Sequence, residues 1–189
     1  MPTPLPPNAK NVFSSKLLNV YQWSQKLFDG TEETFETCVR PDTVEVLAFL
    51  DPRTVLLLKQ EQSGKAESFL SGAGGRVDKG ETHEQAVRRE LLEETGCEAG
   101  RLSFWSNRKW GGIIRYEQAL FVATDIKQLQ APHVDAGEKI EPHSTPWKEV
   151  VRLALAQKFR SPFFSLAILA MEYDPEQRAR LDVFLRGDT

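Results

Sequence analysis

The chain of 189 residues is long enough for one domain, or one domain plus an arm. Its 24 basic and 27 acidic side chains give a net charge of −3 and no basic run, so neither nucleic acid nor a membrane surface is expected as a partner. No stretch approaches the roughly 18 apolar residues of a membrane span. Met1 to Lys10 lack the apolar run of a signal peptide, and Cys38 and Cys97 are too few for a disulfide framework. The expectation is a cytoplasmic protein with reduced, packed thiols.

The proline-rich first ten residues are expected to form a mobile tail. Lys16 to Val39 alternate apolar and polar residues around Asp29-Gly30, a hairpin signal. Thr43 to Leu50 and Thr54 to Lys59 read as a second strand pair around Asp51-Pro52-Arg53. Thr82 with Gln85 three residues on is a capping-box start, and Gly96 is a natural stop, so Thr82 to Thr95 should be helical. Arg101 to Trp105 and Glu117 to Thr124 follow as strands, with Trp110-Gly111-Gly112 in the loop between them. Gln130 to His143 reads as a mobile loop. Thr145-Pro146 then opens a helix to about Gln157, with Pro146 in the first helical position. Ser161-Pro162 opens another to about Met171, and Asp174-Pro175 a third to about Leu185. Mixed strands with helices on both sides imply an α/β fold, an α/β/α sandwich with a mixed sheet. Residues 1–41 would form a tail and β-arm, and 42–189 the main domain.

The stretch Gly75 to Cys97, G-R-V-D-K-G-E-T-H-E-Q-A-V-R-R-E-L-L-E-E-T-G-C, carries the chemistry. At about 100° per residue, Glu90, Glu93 and Glu94 fall within an arc of roughly 100°, while Val87 and Leu91 face elsewhere. Carboxylates so spaced repel one another, and a divalent cation would remove that penalty. Hard oxygen donors suit Mg²⁺ or Mn²⁺. A glutamate-rich helix is more often a solvated face. Here, however, Ser71-Gly72-Ala73-Gly74-Gly75 lets backbone approach a ligand, and Arg89 can grip Glu93 one turn away. Loop, clamp and carboxylates together favour a metal site.

The same residues fit G-x5-E-x7-R-E-U-x-E-E-x-G-U, where U is apolar, at Gly75, Glu81, Arg89, Glu90, Leu91, Glu93, Glu94 and Gly96, with Cys97 at the last position. This resembles the Nudix box, whose fixed identities should recur by accident in roughly one chain in a million. The resemblance implies a Nudix α/β/α sandwich in which Glu90, Glu93, Glu94 and the Gly74 carbonyl hold two or three Mg²⁺, with Mn²⁺ as a possible substitute. Arg89 and Glu81 would brace them.

Leu27 to Phe49 further resembles the ADP-ribose pyrophosphatase and nucleoside-diphosphate-sugar hydrolase branch, in which an N-terminal β-arm is exchanged across a homodimer. Alternatively, Trp23, Phe28 and Phe35 pack on their own core. In that branch a catalytic glutamate sits where Asp135 to Glu141 places Glu138; without the branch, the segment is an ordinary acidic turn. Phe35 would stack on a base and Arg40 contact phosphate or ribose, against the alternatives of a core aromatic and a solvated arginine. The implied reaction is metal-dependent hydrolysis of the pyrophosphate bond of a nucleoside diphosphate linked to a second group. ADP-ribose or a nucleotide sugar would yield a nucleoside monophosphate and a sugar phosphate. Glu138 would be the base, or else Glu93 or Glu94. A nucleotide sensor without turnover and a nucleoside-triphosphate pyrophosphatase are the alternatives. Three departures touch substrate contacts: Gln60-Glu61-Gln62 replaces an expected arginine, Asn107 to Gly112 replaces Ser-Pro-Gly, and Ala73 replaces a proline.

Overall fold

The computed structural model describes residues 4–133 and 137–187. β1 (Lys10–Ser14), β2 (Asn19–Lys26) and β3 (Glu32–Val39) form an antiparallel meander, with Gly30 at φ 89° in the β2–β3 turn. β4 (Thr43–Asp51) and β5 (Thr54–Gln62) form the next hairpin, and β6 (Phe69–Ser71) pairs with the end of β5. After helix α1 (His83–Thr95), the long hairpin β7 (Cys97–Gly111) and β8 (Ile114–Gln128) docks parallel to both β3 and β4. β9 (Glu138–Pro146) covers the outer edge of β5, and α2 (Trp147–Leu155), α3 (Pro162–Tyr173) and α4 (Pro175–Arg186) follow.

Strand parity divides the core in two. Val44, Val46 and Ala48 of β4, Leu56 and Leu58 of β5 and Ala119, Phe121 and Ala123 of β8 face α1, meeting Ala86, Val87 and Leu91. Leu47, Phe49, Val55, Leu57, Leu120 and Val122 face the other way, onto α2, α3 and α4 through Val150, Phe164, Ile168 and Leu181. Full burial of a side chain such as Leu91 or Ile168 contributes roughly 1.5–3 kcal/mol. The expected α/β/α sandwich is therefore present, with a mixed sheet and N-terminal strands.

Several local expectations change. The tail is docked from Pro4 onward: the Pro4 carbonyl accepts from Arg115 at 3.4 Å and Asn8 donates to the Ser24 carbonyl, while Met1 to Thr3 lie outside the described residues. Strand structure starts at Lys10, before the predicted Lys16, and β6 was not foreseen. The loop expected from Gln130 to His143 is strand from Glu138 onward; Val134, Asp135 and Ala136 lie outside the described residues. Pro146 stands at the position just before α2, which starts at Trp147, instead of in its first turn. Among the described residues no helix is long and apolar enough to cross a membrane.

Candidate active site

The site forms where β4 and β5 part. They pair from Ala48–Leu56 outward to Asp51–Thr54, and beyond that point the chain from Phe69 to Arg76 fills the wedge. Leu58 pairs with Ser71 on the β5 side, while Val46 and Thr43 bridge to Ala73 and Arg76 on the β4 side. The Ala73 and Gly75 carbonyls accept from Val46 and Val44, leaving the Gly74 carbonyl outside that ladder. Such close approach requires glycine: a Cβ on Gly74 would lie 2.2 Å from the Val44 carbonyl oxygen, and one on Gly75 would lie 2.3 Å from Glu90 Oε1. The glycine run thus sets backbone directly against the acidic face of α1.

Local sequence fixes α1 in that position. Thr82 accepts from the Gln85 N–H and Gln85 reaches back to the Thr82 N–H, while Gly96 ends the helix at φ 71°. Val87 and Leu91 dock on the sheet, which turns Arg89, Glu90, Glu93 and Glu94 to the glycine run. Arg89 is the hub. It grips Glu81 through Nε and Nη2, each at 3.0 Å, and donates to Glu90 at 2.8 Å, Glu93 at 3.2 Å and the Arg76 carbonyl at 3.0 Å. This bidentate pairing holds the Glu81 carboxyl below its usual range.

Two carboxyls of α1, Glu94 and Glu90, are pushed upward. Burial raises Glu94 to about 8, opposed by the Gly74 N–H at 2.8 Å and by Gln60 at 3.1 Å, and reinforced by the charges of Glu90 and Glu138. Burial likewise raises Glu90, opposed by Arg89 and reinforced by Glu93 and Glu138. Glu138 reaches this group through register: it pairs with Gln62, whose amide donates to its Oε1 at 2.8 Å. Among the described residues no three such donors already surround one ion-sized point, and Arg89 engages Glu90 and Glu93. The donor set nevertheless fits a hard divalent cation, since crowded, partly desolvated carboxylates beside a carbonyl lose their mutual repulsion when one binds.

The structure brings together Gly74, Glu81, Arg89, Glu90, Glu93, Glu94 and Glu138. It does not bring Phe35 or Arg40 there. Phe35 is 43% exposed on β3, 6.2 Å from the buried Trp23 ring, and Arg40 stacks over Tyr116 at 4.6 Å. Phe28 is fully exposed, so of Trp23, Phe28 and Phe35 only Trp23 joins the core. Both cysteines are free thiols. Sequence reasoning missed Gln60 and Gln62, which touch Glu94 and Glu138. Their only signal was their shared parity on β5.

Comparison with known proteins agrees with this geometry. The NUDIX domain model matches residues 39–166. The chain is 31% identical over 149 residues to the ADP-ribose pyrophosphatase of Bacillus subtilis (strain 168), across 76% of this chain and 79% of that protein. It is 35% identical over 123 residues to the chloroplastic Nudix hydrolase 19 of Arabidopsis thaliana, across 56% of this chain and 28% of that one. A solved ADP compounds hydrolase shares the fold, with a TM-score of 0.75 at 21% identity over 92% of this chain and 95% of that one. The box helix, the glycine wedge and these matches have one meaning: the chain belongs to the Nudix family and is a pyrophosphohydrolase.

Proposed function

We propose that the protein hydrolyses the pyrophosphate bond of a nucleoside diphosphate joined to a second group, with ADP-ribose as the first candidate and nucleotide sugars next. The observation that carries this reading is the meeting of Glu138, on β9, with the α1 carboxylates Glu90 and Glu94 across the β5 register. A site that only bound nucleotide would need no such fourth carboxylate. The curated relative with the longer match is named for ADP-ribose, which sets the order of candidates.

Glu90, Glu93, Glu94 and the Gly74 carbonyl would hold Mg²⁺, two or three ions, with Mn²⁺ as a substitute. Such ions, when bound, offset the diphosphate charge and acidify water. Glu138 accepts the proton of the attacking water, held in place by the Gln62 amide. The water oxygen forms a new bond to one phosphorus while the bridging oxygen departs with the other phosphate, giving a nucleoside monophosphate and a sugar phosphate. Arg89 and Glu81 keep the carboxylates oriented.

Residues 1–41 form the dimerisation arm in this reading. Val12, Phe13, Leu17, Phe28 and Phe35 leave apolar surface exposed along it, and Phe35 and Arg40 would meet the nucleoside. A panel of ADP-ribose, GDP-mannose, UDP-glucose, dinucleoside polyphosphates and deoxynucleoside triphosphates, assayed with Mg²⁺ and Mn²⁺, tests the assignment. The expected result is preferred turnover of ADP-ribose or a nucleotide sugar, lost in Glu93→Gln and Glu94→Gln. Melting-temperature shifts without turnover would make the protein a sensor, and preference for triphosphates would move it to another branch.

A further inference from the structure

Beyond Glu138 the cleft acquires a positive rim. Phe69 pairs with Gln60, so it shares the sheet face of Gln60, Gln62 and Glu138. The next residue, Leu70, bridges in parallel to Phe159, and its carbonyl accepts from the Arg160 N–H at 2.9 Å. Phe159 enters the opposite core, so Arg160 returns to the Glu138 face. There Lys65 Nζ lies 4.4 Å and Arg160 Cζ 4.8 Å from the centre of the Phe69 ring. Arg160 also approaches Gln62 Oε1 at 3.5 Å, the residue whose amide holds Glu138.

Two like charges on one ring repel each other. Burial and Arg160 together lower the Lys65 pKa, opposed by the charge of Glu138. Among the described residues neither cation forms an ion pair, although the chain has an excess of acids. Cation–π contacts restrict both side chains, which reduces the entropy lost when an anion binds. The location selects the anion. The arm and Arg40 adjoin β8, on one side of β4, whereas Phe69 lies against β5, on the other. With the nucleoside at the arm end, the far end of the diphosphate meets Lys65 and Arg160.

We propose that Lys65 and Arg160, mounted on Phe69, form an anion subsite for the phosphate on the non-nucleoside side of the substrate. This deepens, and rests on, the pyrophosphohydrolase reading given above. Charge-assisted contact with the leaving phosphate would hold substrate in register with Glu138 and act on binding more than on the chemical step.

The test compares wild type with Lys65→Gln, Arg160→Gln and the double variant. With the best panel substrate, the double variant should raise KM roughly ten-fold while kcat stays within about three-fold. The difference should shrink as ionic strength rises. Calorimetric titration of inorganic pyrophosphate in EDTA needs neither metal nor turnover, and should show weaker binding by a similar factor. Arg160 also acts electrostatically on the buried Glu45, and its neighbour Ser161 caps α3. Lys65→Gln has neither connection, so it tests the subsite even where Arg160→Gln perturbs folding. KM and pyrophosphate affinity unchanged within two-fold in folded variants would overturn the proposal. So would a fall in kcat at constant KM, which would make Arg160 a positioning residue for Glu138. Weakened pyrophosphate binding in a protein without panel turnover would keep the subsite and remove the proposed reaction.

Discussion

Glu45 gives the most quantitative prediction, because a carboxyl occupies an interior position of the central strand β4. It is 7% exposed and faces the α3 side. The Gly72 N–H donates to it at 3.2 Å and the Gln118 amide at 3.4 Å, with the Ser161 hydroxyl and the Arg160 charge also in range. Burial outweighs all of these and pushes its pKa from 4.5 up to about 8. The folded state therefore holds the proton more tightly than the unfolded chain. Below pH 4.5 both states are protonated and there is no penalty. Between pH 4.5 and 8 the unfolded chain releases this proton while the folded protein keeps it, so stability falls across that window and levels off above 8, where both states are ionised.

Each pH unit crossed in that window costs about 1.4 kcal/mol, so the full loss is on the order of 3–5 kcal/mol. Glu45→Gln removes the titration while keeping an oxygen for the Gly72 N–H. The variant should match or trail wild type near pH 5 and exceed it by several kcal/mol near pH 8.5, as measured by urea unfolding in EDTA. Glu94 and Glu90 shift in the same direction in both proteins and cancel in the comparison. Parallel pH profiles, or a variant that loses ground as pH rises, would refute the reasoning.

Glu138→Gln should lower kcat by about 10²- to 10⁴-fold with a much smaller change in KM. Glu141→Gln should stay near wild type, since Glu141 pairs with Lys59 on the opposite parity; equal small effects from both would disqualify Glu138 as base. Gly75→Ala sets a methyl 2.3 Å from Glu90 Oε1, so kcat/KM should drop by at least about ten-fold, and an active variant would mean that Glu90 can move freely. Thr82→Ala breaks the capping box and should cost about 1 kcal/mol, a melting shift of roughly 2–4 °C by calorimetry; an unchanged melting temperature would mean that packing alone holds α1.

What could be read from the sequence was local. Thr82, Gln85 and Gly96 specify α1 through contacts three or four residues long, so its carboxylate face was predictable without any tertiary information. The same holds for Ser161 and Asp174, whose side chains cap α3 and α4 ahead of their prolines. β9 failed that test. Glu138 to Pro146 contains two prolines and no strong apolar alternation, which argues for a loop. It is a strand because it lies along the outer edge of β5, where missing N–H groups are tolerated. A segment's place in a sheet is not written in its own residues.

Register also explains why the departures at Gln60-Glu61-Gln62 were uninformative in isolation. Along β5 the even positions face α1, so Gln60 and Gln62 become the partners of Glu94 and Glu138, while Glu61 turns away and pairs with Lys139. Arg160 reaches Gln62 at that strand end across 98 residues of sequence. Strand parity and a parallel bridge at Leu70 bring these groups together, and neither can be seen before the strands are paired. Gln62 thus adjoins a guanidinium carried by the residue preceding the α3 cap. Substitutions at Gln62 should therefore act through Glu138 and Arg160 together, not through substrate contact alone.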